Sequence, residues 1–224
     1  MYKEIIARLL EEIATASGGR KVELMAVSKT HPITTILEAV KAGQLLFGEN
    51  RVQEIEEKFT TDRTGYRLHM IGHLQSNKVK KVVPLVDSID SVDSLKLAKR
   101  ISNAALAIHK VMPILIEINT TEEAAKAGFN SLDDYYRLLD EVPNLKGVRV
   151  EGLMTMGPLG GDETTTRKAF ARLRNIAEES RVRYPELTFD TLSMGMSGDY
   201  LWAIKEGSTQ VRLGSVIFGM RGER

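Results

Sequence analysis

Lys29, Arg212 and the segment SMGMSGD (193–199) are the positions in this 224-residue chain whose types and setting could carry covalent chemistry. Lys29 ends the apolar run VELMAVSK. A lysine there loses hydration, and a guanidinium nearby adds like charge. Both effects favour the neutral amine, which is the nucleophile toward a carbonyl. In the segment 193–199, Ser197 is expected at the N-cap of a helix over 199–206. The N–H groups and dipole of a helix start favour a dianionic phosphate. Gly195, Gly198 and Gly214 permit close backbone approach, and Ser215 adds a hydroxyl donor. A plain Gly/Ser turn with an ordinary cap would use the same residues. A strand-end lysine can also simply extend its amine to solvent. A phosphate cup beside a reactive lysine suggests either a sugar-phosphate aldolase or pyridoxal 5′-phosphate (PLP). Arg212, flanked by Val211 and Leu213, needs a partner if it is buried. Glu117, Glu151 and Asp90 are candidates. So is a cofactor ring nitrogen, which a donor-only guanidinium would leave unprotonated.

The elements that must hold these residues alternate along the chain. Short apolar and β-branched runs begin at Val22, Gln44, Arg67, Ser88, Val111, Val148, Thr191 and Gln210. The last, QVRLGSVIFG, reads as one continuous strand. Between them lie segments of helical period over 33–43, 52–59, 77–83, 94–107, 131–141, 164–180 and 199–206, and a further helix over about 2–16 precedes the first strand. Runs such as MPILIEI are apolar at nearly every position, the signature of strands covered on both faces. The pattern predicts a single (β/α)8 TIM barrel over 1–224 with an extra N-terminal helix. The competing doubly wound sheet would carry a Gly-rich turn after its first strand, and Ser28-Lys29-Thr30 is no such turn. In a barrel the site sits at the C-terminal strand ends. Lys29, Glu49, Asn50, His73, Asp90, Asp93, Glu117, Asn119, Met154, Met156, Met196 and Arg212 all fall at or near such ends. The Gly-rich stretch 157–161 reads as a mobile loop, a connector or a lid.

Composition removes several alternatives. With Cys 0, thiol nucleophiles, Cys-ligated metals and disulfides are excluded. His69 and His73 are expected on a strand end, a poor metal pair, so no metal is expected. Lys plus Arg is 31 against 30 Asp plus Glu, a net charge of +1 that favours neither nucleic acid nor an anionic membrane. The N-terminus MYKEIIARLL lacks a secretory apolar region, so a cytoplasmic protein is expected.

The segments AVSKTHP, FGENRVQE, IGHLQSNKVKKV, DSIDSVDS, GLMTMGP, LSMGMSGDYLWAIKEGST and VRLGSVIFGMR, in this order, closely resemble the PLP homeostasis protein family, also called the proline synthetase co-transcribed homologue family. The resemblance runs across nearly the whole chain. It implies a fold-type III PLP protein shaped like the N-terminal barrel of alanine racemase. It also implies that Lys29 forms the Schiff base, that Ser197, Gly214 and Ser215 hold the phosphate, and that Arg212 faces the pyridine nitrogen. Asn50 and His73 lie in motifs near the cofactor, and Met196 is placed with them in the expected site. Two departures stand out: Leu68 where an aromatic is usual, and Thr120-Thr121-Glu122 where a Ser-Gly stretch is usual.

The implied role is a non-catalytic protein that carries and buffers PLP (vitamin B6) through Lys29, exchanges it with amines and amino acids, and passes it to PLP-dependent apo-enzymes. The alternative is an alanine-type racemase. That reaction needs a second base, which the racemases draw from a tyrosine on a further domain. Tyr66, Tyr135, Tyr136, Tyr184 and Tyr200 are not expected to supply it, and without the further domain a monomer is expected. A lysine aldolase is the third reading, but it leaves Arg212 without a role.

Overall fold

A computed structural model describes residues 1–219 apart from 62, 122, 124 and 125, so Glu122 and the tail from Met220 lie outside the described residues. The elements in chain order are α1 (Tyr2–Ser17), β1 (Glu23–Val27), α2 (Ile33–Lys41), β2 (Leu46–Glu49), α3 (Val52–Lys58), β3 (Arg67–Met70), α4 (Val79–Val82), β4 (Ser88–Val92) and α5 (Leu95–Leu106). They continue with β5 (Met112–Glu117), α6 (Leu132–Glu141), β6 (Val148–Met154), α7 (Glu163–Arg183), β7 (Thr191–Met196), α8 (Tyr200–Lys205), β8 (Gln210–Leu213) and α9 (Ser215–Phe218). The strands pair in parallel in sequence order, and β1 closes on β8 with Met25 opposite Arg212. This is the barrel that the alternation predicts.

One expected element differs. The run QVRLGSVIFG is not a single strand: β8 stops at Leu213 and the turn of helix α9 begins at Ser215. Gly214 interrupts the β-branched pattern, and its carbonyl accepts the N–H groups of Ile217 and Phe218. Apolar composition cannot separate a short strand from a helical turn, so the run conceals the break. The fourth helix is also shorter than its pattern, because 77–78 form a turn before Val79.

The core lies mainly between the strands and the helices. In β1, Leu24 and Ala26 pack outward into this layer. The intervening Met25 points inward, where a Cβ on Gly48 would meet its sulfur at 2.6 Å. Glycine at position 48 therefore makes room for Met25. The extra helix α1 buries Tyr2, Ile6, Leu9 and Ile13, one helical face. It covers α8 and α9, and the rings of Tyr2 and Phe218 meet edge-on at 5.9 Å. Each buried Leu or Ile of this kind contributes about 1.5–3 kcal/mol. Helix α1 thus stabilises the segments that flank β8, which form one wall of the site.

Candidate functional site

A cavity of about 370 Å³ opens at the C-terminal ends of β1, β2, β6, β7 and β8. Lys29, Asn50, Met196, Ser197, Arg212, Gly214 and Ser215 all line it, as their sequence positions predict. Val27, Thr30, His31, Ile71, Met154, Met156, Gly198 and Gly219 complete the wall.

Ser197 does not cap α8. The N-cap is Asp199, whose Oδ1 accepts the Met196 N–H at 2.6 Å. Ser197 instead lies two residues earlier, and its hydroxyl accepts the Gly214 N–H at 3.3 Å. It ties the turn after β7 to the turn after β8, and both turns line one cavity. The β7 end is shaped for this by Gly195. Its φ is +97°, and a Cβ there would lie 2.6 Å from that of Ala203.

Arg212 reaches the cavity from below and is itself buried. Its Nη1 donates to Ser193 Oγ and its Nη2 to the Thr155 carbonyl, both at 2.8 Å. Burial lowers its proton affinity, and the charges of Asp90, Glu117 and Asp199 restore part of it. Asp90 and Glu117, two of the three acids suggested by sequence, thus act on Arg212 through charge, while its hydrogen bonds go to Ser193 and Thr155 rather than to an ion-pair partner. The third, Glu151, faces away and bonds Arg149 instead. Asp90 is further held by the His69 ring nitrogen at 3.0 Å and by Ser88 Oγ at 2.6 Å. Burial pushes the Glu117 carboxyl up to about 7, opposed by Arg212 and assisted by Asp93.

His73 does not line the Lys29 cavity. It is exposed, bonds Asp93 at 3.2 Å, and faces an adjoining cleft with Arg51, Gln75 and Lys78. Asn50 borders both spaces and has a buried Oδ1 without a hydrogen-bond partner among the described residues. Met156, rather than the loop 157–161, forms the rim. That loop is fastened to the segment after β5, where Lys126 Nζ donates to the Gly157 carbonyl at 2.8 Å.

The residues that sequence reasoning missed lie behind Lys29. Thr30, at φ +68°, gives its N–H to Glu54 Oε2 at 2.6 Å. Lys58 bonds Glu54, Glu49 and the Ser28 carbonyl. A Glu–Lys pair four apart on a helix was the available signal, but it reads equally as a solvated face.

The alanine racemase N-terminal domain family matches residues 4–222. A pyridoxal phosphate homeostasis protein of Escherichia coli K12 is 39% identical, with 96% of this chain and 95% of that protein covered. The chain belongs to the family of pyridoxal phosphate homeostasis proteins. A Schizosaccharomyces pombe member is 37% identical over 94% of this chain and 89% of its own. PipY of Synechococcus elongatus PCC7942, in its structure with PLP bound, superposes with a TM-score of 0.88 at 37% identity, covering 98% and 100% of the two chains. An alanine racemase from Clostridium difficile 630 shares the fold at 15% identity, with a TM-score of 0.71, 95% of this chain and 56% of its own length. The family and barrel that the sequence motifs imply are thus both found.

Proposed function

We propose that this chain is a PLP carrier, one binding domain over 1–224, which holds the cofactor on Lys29 and buffers its supply. The observation that carries this reading is the convergence of Lys29, the turns after β7 and β8, and Arg212 on one cavity. When bound, PLP supplies an aldehyde for attack by an amine, joined to an electron-withdrawing ring. Lys29 provides the attacking amine. The hydroxyls of Ser197 and Ser215 and the backbone around Gly214 would hold the phosphate, beside N–H groups that the first turn of α9 leaves without intrahelical acceptors. Arg212 would face the ring nitrogen as a donor and leave it unprotonated, which would weaken stabilisation of carbanions. Met196 and Asn50 would border the ring from the cavity wall, with His73 at the neighbouring cleft.

The same arrangement supports a role without strong catalysis. No tyrosine lines the cavity among the described residues. The hydroxyl of Tyr135 bonds Ser180, that of Tyr184 bonds Asp140, and that of Tyr200 bonds Glu12. Lys29 therefore faces no tyrosine base across the cavity. Amines and amino acids are the exchange ligands, and PLP-dependent apo-enzymes the recipients. The protein acts as a cytoplasmic monomer. No helix among the described residues is long and apolar enough to cross a membrane.

Borohydride reduction of the PLP-loaded protein, followed by peptide mass mapping, tests the assignment. A pyridoxyl group on Lys29 is expected, and one on another residue would overturn it. Alanine turnover by the loaded protein should be negligible; robust racemisation would establish the racemase reading in its place.

A further inference from the structure

Lys29 sits between two residues that are both fixed from behind by one ionic cluster. Ser28 donates from its hydroxyl to Glu49 Oε1 at 2.8 Å, and its carbonyl accepts Lys58 Nζ at 3.2 Å. Thr30 donates its N–H to Glu54 Oε2 at 2.6 Å. Lys58 joins the two halves, with Nζ 3.0 Å from Glu49 Oε1 and 2.6 Å from Glu54 Oε2. All three charged side chains are largely withdrawn from solvent, Glu49 completely. None of them lines the Lys29 cavity.

This cluster is expensive to build. The fully buried Glu49 carboxylate loses hydration that pairing with the half-buried Lys58 only partly offsets. Glu49 also keeps one oxygen, Oε2, without a partner among the described residues. Its carboxyl is pushed up by burial and drawn back by Lys58 and Ser28. Thr30 adds a second cost, because a β-branched residue at positive φ is strained. The turn is closed by the His31 N–H on the Ser28 carbonyl at 3.1 Å. An apolar contact between α3 and β2 would hold the helix without any of this. What the charges add is a fixed backbone on each side of Lys29.

We propose that Lys58 is a positioning residue for Lys29, acting through Glu49 and Glu54 to fix the Ser28–Thr30 turn from which the Lys29 amine reaches the cofactor aldehyde. The inference rests on the reading of Lys29 as the attachment point. Without the cluster the turn samples other conformations, and the amine spends less time where attachment occurs. The consequence is faster loss and slower uptake of PLP in a protein that still folds.

Three variants test it: Lys58→Met, Glu54→Ala and Glu54→Gln, each loaded with PLP. The readouts are visible absorbance of the attached cofactor, its release rate into an apo-enzyme trap, and the rate of re-attachment. Lys58→Met and Glu54→Ala should release PLP about tenfold faster, the effect of one lost charge-assisted bond. Glu54→Gln keeps an acceptor for the Thr30 N–H but loses the charge paired with Lys58, so its release rate should fall between those of the parent and Glu54→Ala. Glu54 lies near the surface, so its two variants decide the matter if Lys58→Met does not fold. Parent-like rates in both Lys58→Met and Glu54→Ala, or in Glu54→Ala alone where Lys58→Met does not fold, would overturn the proposal. Peptide mapping of the parent separates the two levels. A pyridoxyl group away from Lys29 removes the attachment reading and this proposal with it. A group on Lys29 with unchanged variant kinetics removes this proposal alone.

Discussion

Arg212 Nη2 donates to the Thr155 carbonyl at 2.8 Å, so a cation on β8 secures the chain just beyond the end of β6. The opposite face of the same guanidinium layer is set by acidic groups. Asp90 on β4, Glu117 at the end of β5 and Asp199 at the start of α8 all act on Arg212. Arg212 therefore joins the cavity wall to a layer of charge contributed by β4, β5 and the start of α8.

Arg212→Met removes the cation from this layer and leaves the carboxylates uncompensated. Its two hydrogen bonds, to Ser193 and the Thr155 carbonyl, are lost as well, and a bond to a charged group is worth about 1.5–3 kcal/mol. The carboxylates escape by binding protons, so the loss should be larger at pH 8 than at pH 5.5. Urea unfolding of both proteins at the two pH values checks this. An equal loss at both would show that Arg212 acts through packing alone.

Glu117 gives the same layer its own pH dependence. Its carboxyl stands at about 7 in the fold against 4.5 unfolded. The folded state thus binds more protons between these values, and its stability falls as pH rises through that window. The penalty is of order 3 kcal/mol above pH 7. Glu117→Gln should flatten this part of the stability–pH curve, gaining relative to the parent at pH 8 and little at pH 4.5. A variant curve parallel to the parent's would place the titration elsewhere.

Lys29→Ala should fold with an unchanged thermal midpoint, since the side chain contributes little to the core. It should lose the yellow colour of the PLP-loaded protein while retaining some non-covalent PLP through the phosphate turns. Absorbance after gel filtration, with the midpoint measured alongside, distinguishes loss of attachment from loss of fold.

These residues differ in how far the sequence discloses them. Lys29, Arg212 and Ser215 stand at strand ends, and barrel geometry turns that order directly into proximity. The role of Ser197 was not readable. Its hydroxyl bonds across to Gly214, and local pattern carries no information about a contact between two loops. Nor was α9, because SVIF suits a strand and a helical turn equally. The support behind Lys29 was hidden for a different reason. Lys58 and Glu54 look like a surface helix pair until α3 is packed against β2 and Lys58 proves to reach the buried Glu49.

Ser197→Ala tests the join between the two phosphate-facing turns. The variant loses the hydroxyl that accepts the Gly214 N–H, and both turns gain freedom. Loss of one such neutral hydrogen bond is worth about 0.5–1.5 kcal/mol, so PLP affinity should fall by up to about tenfold. Pyridoxal, which lacks the phosphate, should bind almost as it does to the parent. The comparison isolates the phosphate contribution, because both ligands present the same aldehyde to Lys29. Titration of each ligand by absorbance gives the two ratios. If pyridoxal weakens as much as PLP, Ser197 shapes the cavity as a whole and the phosphate lies elsewhere.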